Sequence, residues 1–293
     1  MPPPPARAIT TGAGRAATRP VYRTSPGAPP SAVVPCGMAA SRPRTLALGT
    51  WLAARGTVAG VGIVLAGLGA LASAGVAVTL AGADSAFPAQ LPLLESSAIA
   101  WSAGMLLAFG GALGALGRDR QQGVWALARA RGASTGAYVR GRVGGLVLLL
   151  AATVGGATLV AGIAAISVAH PALAAARTGV AGLAYALAFS VTVGPLAMAT
   201  LGGRTRVGGA LALLAVLALP EILSPWSERL LPRGWHELTS IPAALDAVRS
   251  GVAAPAAMVL PMMRALAGLT AVLALSLVVV GARARHPSAP GAP

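Results

Sequence analysis

The residues with the most direct claim to metal, proton or nucleophile chemistry are three histidines, seven acids and one cysteine. His170, His236 and His286 fall in connections or in the C-terminal tail, so they cannot face one another across helices as paired haem ligands must. His236-Glu237 opens like the metal-binding helix of a zinc protease, but Ser240 stands where the second histidine belongs. No GxSxG occupies a strand-to-helix elbow. The chain has no lysine, so a GxxxxGK[ST] phosphate loop is impossible. Work done by this chain must be powered from outside it. Cys36 is alone, which rules out an intramolecular disulfide and a thiolate metal cluster. No apolar run precedes it, as a lipid-anchoring signal requires.

The elements that would position any chemistry are apolar. Of 293 residues, 56% are hydrophobic and 10% charged, against about 25% charged in an ordinary soluble domain. Mean hydropathy is +0.75. Apolar runs of about 18 residues or more recur, each long enough to cross a bilayer as a helix. They do not alternate as the strands of a membrane barrel would. The expected class is therefore all-α and polytopic, with six transmembrane helices near 56–83, 96–117, 143–169, 178–203, 207–223 and 265–281. Residues 1–42 are rich in Pro, Ala and Arg and read as a disordered tail, as do 286–293. The spans occupy a domain over 43–285. Either Met1 or Met38 is a possible start.

Residues 43–55 (PRTLALGTWLAAR) read as an interfacial helix before the first span. Between spans five and six, 224–264 carry prolines and tryptophans suited to short outer re-entrant helices, with 241–252 the clearest. Gly110/Gly114 and Gly141/Gly145 have the spacing of close helix contacts. Pro195 is placed to kink span four. No Asp, Glu or His falls near a span centre, where a proton-coupled carrier would need one. Glu221 and Arg264 sit at outer span ends, there to pair or to snorkel.

The net charge of +15 comes entirely from arginine. With six spans both termini share one side. That side takes all but five of the 22 arginines, the exceptions being Arg177, Arg229, Arg233, Arg249 and Arg264. Acids divide the opposite way, with only Asp119 on the arginine-rich side. Arginine is retained on the cytoplasmic face, so both termini are expected in the cytoplasm of a cell inner membrane. The same rule makes nucleic acid an unneeded explanation for the charge.

The densest basic stretch, 119–142 (DRQQGVWALARARGASTGAYVRGR), joins spans two and three on that side. It is too polar to cross, each mid-bilayer arginine costing roughly 2.5–3.5 kcal/mol. Its composition predicts a helix from Arg120 to Arg131 with Val124, Leu127 and Ala128 on one face. Gly132 stops it, Ser134 caps the next helix, and Tyr138 and Arg142 anchor that helix at the interface.

This pattern resembles the type-two ABC transporter permeases. It matches their loop between spans two and three at Asp119-Arg120, Gly123, Leu127, Gly132 to Ser134, Tyr138 and Gly141-Arg142. It departs where a Glu-rich start is replaced by Asp-Arg-Gln-Gln and a turn proline by Gly132. The likeness covers about 43–285. It implies six spans, an interfacial helix before the first and re-entrant helices before the last. It also implies that Asp119, Arg120, Gly123, Val124, Leu127 and Arg131 form a coupling helix for a separate ATPase subunit. ATP would bind to that partner, and this chain, itself no enzyme and without cofactor, would pair with a like or sister permease subunit in the bilayer as an exporter. The competing reading is a structural or assembly membrane protein whose basic loop rests on anionic headgroups.

Overall fold

A computed structural model describes residues 42–80, 87–169, 172–203, 206–230 and 235–285. Of the tail expected over 1–42, residues 1–41 lie outside the described residues and Arg42 opens the first helix; the tail expected over 286–293 also lies outside them, as do Cys36, His170 and His286. Helix α1 (Arg42–Ala54) leads into α2 (Thr57–Thr79), the first span. The second span joins α3 (Phe87–Ile99), a π-helical turn (Ala100–Gly104), α4 (Met105–Ala112) and α5 (Ala115–Gln121). A short α6 (Val124–Ala130) follows. The third span is α7 (Thr135–Leu150), a second π-turn (Ala151–Gly155) and α8 (Gly156–Val168). Spans four and five are α9 (Ala172–Leu201) and α10 (Arg206–Leu230). Then come α11 (Trp235–Thr239), α12 (Ile241–Ala253) and the sixth span α13 (Pro255–Arg285), bent at Met258. Six helices are long and apolar enough to cross a membrane, and no strand occurs among the described residues. The chain is an all-α polytopic membrane protein, as its apolar runs require.

Lipid tails are as apolar as leucine, so helices in a bilayer associate through close packing of small side chains. The most enclosed span, α9, does this from the centre. Gly182 leaves room for the Pro92 carbonyl, where a Cβ would stand 2.8 Å away, and Gly179 faces Gly162 of α8. Tyr185 and Phe189 fill the middle, and Trp101 meets Phe189 edge-on at 5.5 Å. The two π-turns touch each other beside them. Gly104 makes this fit, because a Cβ there would come 2.9 Å from Phe189 and 3.0 Å from Val154.

Helix α1 lies along α7 rather than only along a membrane surface. Its Gly49 abuts Gly141, where a Cβ would stand 2.0 Å from the carbonyl oxygen. A Cβ on Gly145 would stand 2.3 Å from the Gly49 and Thr50 backbone. One expected glycine pair therefore seats α1. The other divides its labour: Gly110 packs on Ala59 of α2, whereas Gly114 turns the chain. Trp51 remains exposed beside Arg55, its ring 5.4 Å from the guanidinium, as suits an interfacial position.

The second, third, fourth and sixth spans begin earlier than hydropathy alone indicates, the fourth at Ala172 and the sixth at Pro255. The second starts at Ala89 and the third at Thr135, so Glu95, Tyr138 and Arg142 lie within them. Neighbouring helices cover these side chains, and a hydropathy window does not register such cover. At the opposite end from α6, α12 occupies nearly the span expected of it. Its cap is Ser240, whose Oγ accepts from the Ala243 N–H at 3.1 Å. Its apolar face, including Leu245 and Val248, is buried against α9 and α13. Arg249 ties it down further, donating to the Leu93 carbonyl at 2.9 Å, pairing with Asp246 at 2.8 Å and lying 5.4 Å above the Tyr185 ring.

Candidate functional site

Among the described residues only Gly114, Gly123 and Gly132 have positive φ, at 62°, 70° and 79°. Gly114 lies within the second span, between α4 and α5, and Gly123 and Gly132 lie between spans two and three; each ends or starts a helix. A side-chain-bearing residue would pay about 1–2 kcal/mol in that conformation. The helix expected to run unbroken from Arg120 to Arg131 is therefore broken at Gly123. Arg120 belongs to α5, the end of span two, and α6 sets off in a new direction. The stop at Gly132 and the cap at Ser134 are present. Gly132 N–H donates to Arg129 O at 2.9 Å and Ala133 N–H to Ala128 O at 3.0 Å, the paired bonds of a Schellman turn. Ser134 Oγ accepts from Ala137 N–H at 3.1 Å.

The residues expected to present themselves together separate into a root and a tip. Asp119, Tyr138 and Arg142 form the root and are buried, Asp119 completely. Asp119 thus cannot be part of a presented face, and Tyr138 and Arg142 are interior rather than interfacial. Asp119 Oδ2 accepts from both the Tyr138 hydroxyl and Arg142 Nε, the latter at 2.9 Å. Arg142 also donates to the Gly49 carbonyl at 3.3 Å. That bond is possible because glycines at 49, 141 and 145 let α1 approach α7. Charges so buried are sustained by mutual pairing and hydrogen bonds. Here the pair links α5, α7 and α1.

Further contacts spread from this root. Arg55 donates to the Gln122 side chain at 2.5 Å, linking the start of the first span. Arg120 donates to the last carbonyls of the sixth span, Arg283 at 3.1 Å and Ala284 at 3.3 Å. A guanidinium at a helix C-terminus satisfies orphan carbonyls and complements the helix dipole. Gly114 N–H donates to Leu201 O at 2.8 Å, and Arg283 to Thr200 O at 3.2 Å, so the end of α9 is included. Trp125 connects the tip to this frame. Its ring meets Tyr138 edge-on at 4.9 Å and lies 5.3 Å from the Arg120 guanidinium.

The tip is the outer face of α6. Val124 and Ala128 turn inward with Trp125 against the core, whereas Leu127 is 54% exposed, so the three apolar positions expected on one face do not share it. Gly123, Arg129 and Arg131 are exposed around Leu127, and Arg140 is exposed on α7. Among the described residues no acid pairs with Arg129, Arg131 or Arg140. Contacts from this elbow reach α1, α7, α9 and α13, while Leu127 stays bare.

Trp125, Gly49 and the Arg55–Gln122 contact carry no signal in the sequence that separates them from other residues. At the far end, Glu221 accepts from the Ser240 hydroxyl and lies 3.8 Å from His236 Nε2, contacts that neither snorkelling nor a pairing with Arg264 describes. Among the described residues no three His, Cys, Asp or Glu side chains are placed to hold a metal. What fold and site define is a six-span helical membrane protein with a basic elbow rooted by a buried ion pair. No family model, curated protein or solved structure matches this chain.

Proposed function

We propose that the chain is the permease subunit of an ABC exporter, driven by a separate ATPase subunit that docks on α6. The observation that supports this reading is the division of the elbow into a buried root and a bare tip. A loop that only rested on headgroups would have no need of a buried ion pair joining the second and third spans, or of Arg120 on the sixth. A lever needs both. The arginine bias supports a cytoplasmic elbow at a cell inner membrane, on the side where ATP is. Nucleotide binds to the partner, and two permease subunits, alike or sister, enclose the path. The nearly charge-free middle of the spans suits an apolar or amphipathic cargo.

The test is reconstitution with the candidate ATPase. Leu127→Glu and Arg131→Glu, both at exposed positions, should leave thermal stability unchanged and lower the permease-dependent ATPase rate at least roughly tenfold, about 1.4 kcal/mol of coupling. Unaltered stimulation by both variants, or an ATPase indifferent to the chain, sinks the proposal.

A further inference from the structure

We propose that Glu95 is a binding site for one monovalent cation, a proton or a sodium ion, inside the second span. The inference does not depend on the identity of the partner at α6. Glu95 is 6% exposed, and neither carboxylate oxygen has a hydrogen-bond partner in ordinary geometry. It lies six residues inside Ala89, about 9 Å along the helix. Ser73 of α2 stands beside it.

Among the described residues no cation pairs with this carboxylate. Helix α3 packs against α2, α8 and α9. Neither α2 nor α8 contains an ionisable residue. On α9, Arg177 is exposed and the Tyr185 hydroxyl accepts from Trp101 Nε1 at 2.7 Å. The nearby α12 supplies Arg249 and Asp246, which pair with each other, Arg249 also serving the Leu93 carbonyl. An intramembrane acid without a partner is costly and marks a proton or ion path by default. The charge that the protein withholds must then come from the ligand. One turn on, Ile99 packs on Gly69, where a Cβ would stand 3.0 Å away, and closes the seam between α2 and α3 toward the bundle centre. Two carboxylate oxygens and one hydroxyl suit a single small charge.

The test uses the full chain in lipid nanodiscs and a hydrophobic carbodiimide, which adds to a proton-bearing carboxyl in apolar surroundings and leaves a stable N-acylurea. The adduct is mapped by peptide mass spectrometry on the native protein, so a variant that misfolds does not obscure it. Glu95→Gln is the control. A proton site gives an adduct at Glu95 whose rate falls roughly tenfold per pH unit above its midpoint and ignores sodium. A sodium site gives an adduct that added sodium suppresses at fixed pH. No adduct at Glu95, or one that forms at the same rate at every pH and sodium concentration, overturns the proposal.

Discussion

Replacing one member of the Asp119–Arg142 pair should cost far more than replacing both. The two side chains are 0% and 2% exposed and meet at 2.9 Å. Arg142→Met leaves the Asp119 carboxylate buried with only the Tyr138 hydroxyl. Asp119→Leu leaves the guanidinium with only the Gly49 carbonyl. Removing one partner of a buried pair costs about 3–5 kcal/mol, because the survivor stays desolvated without compensation. That is roughly a hundred- to several-thousandfold in the folding equilibrium. The double variant removes both charges and should lie within about 1–3 kcal/mol of the native protein, the remainder being the unpartnered Tyr138 hydroxyl. Adding Tyr138→Phe should recover part of that remainder. The assay is unfolding in mixed micelles by titrated denaturing detergent, with amide hydrogen exchange over 115–131 alongside. Protection of α6 should fall in each single variant and return in the double. Single variants within 1 kcal/mol of native, or a double variant as costly as the sum of the singles, would show that the pair does not hold the elbow.

Four further perturbations separate packing from conformation. Gly145→Val puts side-chain atoms into the Gly49 and Thr50 backbone and should lower the unfolding midpoint steeply by expelling α1, by more than about 3 kcal/mol. Gly67→Ala, with nothing within 4 Å of its added Cβ, should instead stabilise α2 by up to about 1 kcal/mol in the same assay. Gly123→Ala also meets no neighbour, so its expected cost of about 1–2 kcal/mol is wholly that of a positive φ and should appear as faster exchange in α6. Trp125→Ala removes the edge contact with Tyr138, worth about 0.5–1.5 kcal/mol beyond area, and should free α6 to exchange while leaving the midpoint of span unfolding nearly unchanged.

The sequence made the large elements legible for physical reasons that are local. Apolar runs disclosed six spans, because length and hydropathy are properties of each segment alone. The amphipathic face of α12, the stop at Gly132 and the cap at Ser134 were legible for the same reason. Contacts between segments were not. Nothing near Gly123 distinguishes a helix break from a helical glycine until Trp125 has found Tyr138. Asp119 and Arg142 looked like surface charges because their burial depends on α1, which is nearly a hundred residues away from Arg142 along the chain. Glu95 looked like an outer-loop acid, since a hydropathy window ends a span at the first charge, whereas cover from α2, α8 and α9 extends it. The π-turns are likewise products of packing around Phe189.

Arg120 bonds to the carbonyls of Arg283 and Ala284, the final turn of α13. During synthesis the elbow leaves the ribosome well over a hundred residues before that turn exists. Until the sixth span inserts, Arg120 lacks its acceptors and the elbow lacks one of its braces. The finished elbow thus carries a record of whether the bundle is whole. A truncated or misinserted product would present a loosened handle, and a partner that grips only the braced form would pass it by.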